Sequence, residues 1–290
     1  MANGFFTDTT LCIGCKACEV ACKQWNELPS DGFEFTGDSY DNTSQLSGTT
    51  WRHVAFVEQM GVSDTAADPA SDPVAQDRWL MMSDVCKHCT HAGCLEACPT
   101  GAIIRNEFDN VFIQPDICNG CGYCVPSCPF GVVDIIASLT PGSKHGQADY
   151  NTDVLDSARM KNTAVQHDGG VAGKCTLCYD RQRSGFVPAC AKACPTDSIQ
   201  FGDVAELKER AKKRVEQLGE RGVPSYLYGV DTDTSVGDLN AFFLLVEKPE
   251  AYNLPPSPVL PSTHQPAGYA SAALAAAALT AIGYALFRNR

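Results

Sequence analysis

Sixteen cysteines are the residues of this 290-residue chain best suited to chemistry, and they fall into four groups. The groups are, in chain order, Cys12, Cys15, Cys18 and Cys22; Cys86, Cys89, Cys94 and Cys98; Cys118, Cys121, Cys124 and Cys128; and Cys175, Cys178, Cys190 and Cys194. No cysteine lies outside a group. So many thiols must be metal ligands, disulfide partners or both, and their spacing separates these possibilities.

The spacing predicts cubane iron-sulfur clusters. A 4Fe-4S cluster needs four thiolates; a C-x2-C-x2-C loop supplies three, and the cysteine after x3, usually followed by proline, ligates the other cluster of a pair. The third group, CNGCGYCVPSCP, has this pattern, and the first, CIGCKACEVAC, lacks only the proline. The second group widens one gap to C-x4-C and the fourth to C-x11-C, but Cys98 and Cys194 again precede prolines. We therefore predict four 4Fe-4S clusters.

Zinc and disulfides are the alternatives. Zinc sites made of four cysteines use two C-x2-C pairs and have no use for a third cysteine in the same loop. Cysteines three residues apart in tight loops rarely satisfy disulfide geometry. Both alternatives fit the spacing less well than clusters do.

The exchange of the fourth cysteine predicts which residues share a cluster. The second and third groups are close in sequence, so we expect them to exchange ligands, and by elimination the outer two groups do the same. The predicted ligand sets, named here quartets 1 to 4, are Cys12, Cys15, Cys18 and Cys194; Cys175, Cys178, Cys190 and Cys22; Cys86, Cys89, Cys94 and Cys128; and Cys118, Cys121, Cys124 and Cys98.

These ligand sets predict an α+β fold with two interlocked bacterial ferredoxin-like modules, insertions and one C-terminal transmembrane helix. Short β-prone runs beside the cysteine groups, such as 102–104, 110–113 and 198–201, fit small ferredoxin hairpins. The predicted segments are an outer module of residues 1–30 and 165–202, an inner module of 78–139, insertions at 31–77 and 140–164, an amphipathic helix and linker at 203–262, and an anchor at 263–290.

The two C-terminal segments have distinct patterns. From Asp203 to Gly222 apolar residues recur every three or four positions, which predicts one amphipathic helix with Asp203 as its N-cap. A proline-rich linker follows, and the uncharged run from Gly268 to Phe287 has the length of a membrane-spanning helix. An alanine-rich helix lying on the protein surface is the alternative.

Charge constrains location and partners. A formal net charge of -12 argues against nucleic acid as a partner. Arg288 and Arg290 follow the predicted span, so the positive-inside rule places the C-terminus in the cytoplasm and the cysteine modules on the extracytoplasmic, periplasmic side of a single-pass membrane protein. The N-terminal MANGFFTDTT has no export signal, so we expect a partner to carry the chain across.

The chain resembles the beta subunits of membrane-bound formate dehydrogenases, within the four-cluster subunits of molybdopterin oxidoreductases. The resemblance rests on CIGCKACEVACKQWNE, CKHCTHAGCLEACPTGAII, CNGCGYCVPSCPF, KCTLCYDR and PACAKACPTDSIQFG, and on the tail AELKERAKKRVEQLGERG, YLYG and VEKPEAYNLPPSP. The resemblance covers nearly the whole chain.

The resemblance implies a non-catalytic electron-transfer subunit of a membrane-anchored hetero-oligomer. Its expected partners are a molybdenum or tungsten bis-pterin catalytic alpha subunit and a cytochrome b gamma subunit that leads to quinone. The outer module would face the catalytic subunit and the inner module the membrane. A hydrogenase, another molybdopterin reductase, a soluble polyferredoxin and a structural zinc protein are the alternatives. The sequence itself shows no pterin, flavin or nucleotide fingerprint.

Overall fold

The structure is a computed structural model, and it describes residues 2–29, 43, 45–59, 78–136 and 170–288. Ten strands lie within these ranges. They are β1 Asn3–Asp8, β2 Arg52–Gln59, β3 Arg78–Val85, β4 Ile103–Arg105, β5 Val111–Ile113, β6 Asp134–Ile136, β7 Val171–Gly173, β8 Ile199–Asp203, β9 Tyr226–Tyr228 and β10 Ala241–Leu245. The predicted insertion at 140–164 lies outside the described residues.

Six α-helices accompany these strands in the described ranges. They are α1 Ala17–Trp25, α2 Gly93–Glu96, α3 Tyr179–Arg183, α4 Ala189–Ala193, α5 Val204–Glu220 and α6 Gln265–Arg288. The largest sheet has the strand order β8-β1-β10-β9, and β2-β3, β4-β5 and β6-β7 form three two-stranded sheets. The mixture of strands and helices agrees with the predicted α+β class.

The central strand β1 separates two kinds of core. Side chains alternate between the faces of a strand, so the adjacent Phe5 and Phe6 point to opposite sides. Phe6 joins the apolar core that includes Leu207 of α5 and Phe242 of β10, whereas Phe5 joins a core that contains cysteines. The sheet therefore places an ordinary hydrophobic core behind a layer of thiols.

The amphipathic helix α5 is confirmed. The Asp203 carboxylate accepts hydrogen bonds from the amides of Ala205 at 2.9 Å and Glu206 at 3.2 Å, as an N-cap does. Val204, Leu207, Ala211 and Leu218 are buried along one face. The strand predictions at 102–104 and 110–113 are confirmed as well, because β4 and β5 pair antiparallel.

The segment 203–262 was wrongly predicted to be only a helix and a linker. It contributes β9 and β10, and β10 pairs in parallel with β1 in the middle of the main sheet. The proline-rich stretch also packs on the body, since Tyr228 donates to the Pro255 carbonyl at 2.6 Å and Leu260 is buried. A short uninterrupted apolar run such as AFFLL has no periodicity that identifies a strand, which explains the error.

The segment 31–77 is likewise more than an insertion. Its residues 52–59 form β2, which pairs with β3 across the predicted boundary at residue 78. Arg52, at the start of β2, is fully buried between the cysteine loops. Part of this segment therefore belongs to the walls of the candidate site.

Gly4 of β1 gives a sharp test of the main sheet. A Cβ at residue 4 would lie 1.9 Å from the carbonyl oxygen of Asn240 and 2.8 Å from Cγ2 of Val204. We expect Gly4→Ala to destabilise the fold by about 1–3 kcal/mol, because backbone and packed side chains must both move. The measurement is the apparent midpoint of thermal unfolding.

Gly202 is the matched control, because it pairs directly with Gly4 across the antiparallel β1–β8 ladder. A Cβ there would meet no atom within 4 Å. Gly202→Ala should leave the midpoint nearly unchanged. Equal shifts for the two variants would contradict the packing described here.

Candidate iron-sulfur centres

The four cysteine loops share one backbone feature. In each group the residue two positions after the first cysteine has a positive φ: 67° at Gly14, 45° at His88, 70° at Gly120 and 55° at Leu177. This left-handed conformation turns the loop sharply, so that successive cysteines can face a common point. Glycine adopts it freely, whereas a residue with a side chain in this region costs roughly 1–3 kcal/mol. The strain at His88 and Leu177 must be compensated by the site that these loops form.

Helices α1 and α4 bring the outer groups together. Cys18 and Cys22 lie on α1, Cys190 lies on α4, and the two helices pack against each other. The antiparallel pairing of β1 with β8 closes the same unit, although about 190 residues separate the strands in the sequence. The chain thus leaves and re-enters one module.

Quartet 1 lines a cavity. Its walls include all four thiols, Cys12, Cys15, Cys18 and Cys194, together with apolar side chains that include Val54. Burial raises the pKa of Cys12, and the charges of Cys194 and Cys15 raise it further. The cavity has thiol donors around it and an apolar lining.

Quartet 2 is the most deeply buried set. All four cysteines, Cys22, Cys175, Cys178 and Cys190, are buried. Burial raises the pKa of Cys22 well above the usual thiol value, and the charges of Cys175, Cys190 and Cys178 raise it further. The first-group cysteine Cys22 therefore has the last cysteine group around it.

Cysteines of the second and third groups also lie near one another. Burial raises the pKa of Cys89, and then the charges of the neighbouring Cys86, Cys128 and Cys94 do so. For Cys124, burial and then the nearby Cys118, Cys121 and Cys98 raise the pKa to about 11, against a smaller lowering effect of a backbone amide. Cys128 of the third group thus lies near Cys89 of the second, and Cys98 of the second lies near Cys124 of the third. The assignment of the four ligand sets stays a prediction.

These thiols suit a cofactor that is rich in positive metal charge. Without metal, bringing several thiolates together in a buried site is electrostatically unfavourable, and the raised pKa values of these cysteines reflect that cost. Metal ions bind the thiolate form and offset the repulsion between the negative charges. Backbone amides already point at sulfur: Leu177 donates to Cys175 Sγ at 3.3 Å and Ala172 to Cys118 Sγ at 3.4 Å. The donor set therefore fits a 4Fe-4S cluster, which is held by thiolates and stabilised by hydrogen bonds to its sulfurs. Within the described residues, no three His, Cys, Asp or Glu side chains converge closely enough to hold a single metal ion.

Arg52 and Lys174 are two of the buried cations beside the quartets, and sequence reasoning missed both. Arg52 and Lys174 are 1% and 2% exposed. Burial would lower the pKa of each, but nearby thiolates raise it in both cases, led by Cys190 for Arg52 and by Cys86 for Lys174. Lys174 directly precedes Cys175, so its position could have suggested a role, whereas nothing in the sequence around Arg52 does.

Comparison with known proteins finds similar sequences. A family profile described as "4Fe-4S dicluster domain" matches residues 77–144 and 144–204, and a second profile of that description matches residues 11–102. A formate dehydrogenase iron-sulfur subunit from Haemophilus influenzae is 36% identical over 257 residues, which are 87% of this chain and 68% of that protein. The chain belongs to the formate dehydrogenase iron-sulfur subunit family.

Other members of this family are equally similar. The iron-sulfur subunit of the nitrate-inducible formate dehydrogenase from Escherichia coli is 34% identical over 255 residues, 87% of this chain and 71% of that protein. A subunit of the anaerobic dimethyl sulfoxide reductase from the same organism is more distant, at 27% identity over 212 residues, 71% of this chain and 76% of that protein. This chain is thus also similar, at lower identity, to a subunit of a reductase.

Proposed function

We propose that this chain is the electron-transfer subunit of a formate dehydrogenase complex, with four 4Fe-4S clusters held by quartets 1 to 4. A 4Fe-4S cluster supplies one-electron redox chemistry when bound. The observation that carries the proposal is the distribution of exposure: Cys15 of quartet 1 and Cys121 of quartet 4 are exposed, whereas all of quartet 2 is buried. Quartets 1 and 4 are therefore the proposed ends of the cluster chain, where electrons enter and leave, and the buried quartet 2 is an interior site.

The contacts between quartets support the order 1, 2, 3, 4. Burial raises the pKa of Cys175 in quartet 2, and the next largest cause is the charge of Cys86 in quartet 3, ahead of its own quartet partner Cys190. Lys174 interacts with Cys86, Cys94 and Cys175, and so lies between the two modules. Arg52 interacts with Cys18 of quartet 1 and with three cysteines of quartet 2. Quartets 2 and 3 therefore form the junction of the modules.

Each end of this order carries exposed apolar side chains that suit a protein partner. Beside quartet 1, Ile13 lines the cavity and is 58% exposed, and Val20 of α1 is 63% exposed. Beside quartet 4, Ile117 and Tyr123 are also exposed. Apolar surface that surrounds a redox site favours close docking of another subunit. We propose a molybdenum or tungsten bis-pterin catalytic subunit at quartet 1 and a cytochrome b subunit at quartet 4.

The C-terminal helix supports membrane anchoring next to the inner module. Within α6, the segment Gly268–Arg288 is long and apolar enough to cross a membrane by length and composition. The chain that leads to it is fixed to the inner module, because Ser262 donates to Glu96 of α2 at 2.8 Å. We propose that α6 crosses the membrane once and that the cluster modules lie on its periplasmic side.

The test uses native membranes that have been washed in alkaline carbonate. After the wash we expect the chain to stay in the pellet. In unwashed membranes solubilised gently in detergent, we expect a pterin subunit to copurify with the chain and formate to reduce its clusters under anaerobic conditions. Recovery of the chain in the supernatant would contradict anchoring by α6. Reduction by dithionite and hydrogen, or turnover with a sulfoxide, without any reduction by formate would assign the chain to a hydrogenase or another molybdopterin reductase.

A further inference from the structure

Arg52 is an unusual residue in this protein because its charge is completely buried and its donors are only partly used. The side chain is 1% exposed at the start of β2. Its Nη1 donates to Ser83 Oγ at 3.0 Å, and the guanidinium carbon lies 4.7 Å from the centre of the Phe5 ring. Within the described part of the chain, its Nε and Nη2 atoms have no hydrogen-bond partner.

An unpartnered donor in a protein interior requires an explanation. Leaving a buried donor unsatisfied costs about 1–3 kcal/mol, and more when the group is charged. A purely structural arginine would be expected to use its fork of N–H groups on carbonyls or carboxylates. The two free N–H groups of Arg52 therefore indicate an acceptor that the polypeptide itself does not supply.

The cysteines around Arg52 point to a sulfur of the cluster that they would hold as that acceptor. The charges that act on Arg52 from nearby are those of Cys190, Cys175 and Cys22 in quartet 2 and of Cys18 in quartet 1. The link to quartet 1 is also visible as contacts, because Ser83 Oγ lies 3.2 Å from Cys18 Sγ while it accepts from Arg52. With its oxygen lone pair engaged by the guanidinium, the Ser83 hydroxyl is free to donate to the Cys18 sulfur.

We propose that Arg52 is a positioning residue that sets the reduction potentials of both outer clusters, which are those of quartets 1 and 2. It donates Nε–H and Nη2–H to the sulfurs of the quartet 2 cluster, and it acts on the quartet 1 cluster through Ser83 and Cys18. The inference rests on the proposed function, which supplies the clusters. Reduction adds negative charge to a cluster, and a fixed cation with hydrogen bonds to its sulfurs stabilises the reduced form. Arg52 thereby raises both potentials.

The test is a redox titration of the intact complex, followed by low-temperature EPR, on Arg52→Gln, Arg52→Lys and Ser83→Ala. Arg52→Gln should lower the equilibrium constant for reduction of the two outer clusters by about tenfold or more, which is about 59 mV for one electron. Arg52→Lys should give a smaller change, because it keeps the charge and loses the fork. Ser83→Ala should lower only the potential of the quartet 1 cluster.

The two inner clusters serve as an internal reference, and Arg210→Gln is the matched control. Arg210 is an arginine on α5 that donates to Gln200 at 2.8 Å in an exposed hydrogen bond, so its loss should move no potential. Four unchanged potentials in an iron-replete Arg52→Gln variant would overturn the proposal, as would an equal shift of all four. If that variant loses iron, Ser83→Ala decides, and an unchanged quartet 1 potential overturns the proposal. A wild-type complex that holds no iron-sulfur clusters would instead count against the proposed function.

Discussion

Replacing Cys22 by alanine should damage the cluster of Cys175, Cys178 and Cys190, and leave that of its sequence neighbours Cys12 and Cys15 whole. The physical reason is the fold, which packs α1 against α4 and places Cys22 among the cysteines of the fourth group. We expect the iron content to fall by about four atoms per chain, or by about one where a three-iron cluster survives. Iron analysis and EPR of the oxidised protein measure the change.

Pairs of substitutions identify the damaged quartet. Mutations in one cooperative unit are non-additive, whereas independent sites add. Cys22→Ala combined with Cys175→Ala should therefore cost one cluster in total, and Cys22→Ala combined with Cys12→Ala should cost two. Cys194→Ala is the reciprocal control, because it should be non-additive with Cys12→Ala. Loss of one cluster in the Cys22 and Cys12 double variant would show that each group ligates its own cluster.

Anaerobic removal of iron should unfold both cysteine modules. Among the described residues, two of the three buried cores include cysteines, with Cys86 and Cys175 in one and Cys94 and Cys118 in the other. Binding of structural zinc to zinc-finger peptides contributes about 10–16 kcal/mol, which is comparable to the whole stability of an ordinary protein, and we expect cluster binding to thiolates to be coupled to folding in the same way. We expect amide hydrogen exchange to accelerate by orders of magnitude along β4, β5 and α4.

The core around α5 provides the comparison within the same molecule. It is formed by residues such as Leu207, Phe242 and Tyr252, and of the sixteen cysteines only Cys89 packs against it. Protection there should fall less than in the cysteine modules. A chain stripped of iron that kept native exchange rates at β4 and β5 would contradict the view that the clusters organise these modules.

Local patterns in the sequence were enough to predict the parts of this fold that depend on neighbouring residues. Asp203 and the apolar stripe behind it predicted α5, and the runs on either side of Asn106 predicted the β4–β5 hairpin. These elements follow from capping and periodicity alone. The grouping of the cysteines is the basis of the proposed donor sets, because three ligands of a cluster come from one group and the fourth from its partner group.

Long-range features could not be predicted. The run AFFLL carries no sign of the strand that it pairs with, and its place beside β1 depends on the packing of the whole tail. Arg52 lies in a segment interpreted as an insertion, and only the pairing of β2 with β3 brings it between the outer quartets. The positive φ of Leu177 could not be predicted from the sequence either, whereas glycine at positions 14 and 120 is compatible with the positive φ found there.

The most direct test of the four thiolate quartets is the iron and acid-labile sulfide content of the anaerobically purified chain. Four cubane clusters require about sixteen iron atoms and about sixteen sulfides per chain, together with EPR signals from interacting clusters after reduction. A folded, colourless chain without sulfide, or one that binds zinc at its cysteines instead, would contradict the account.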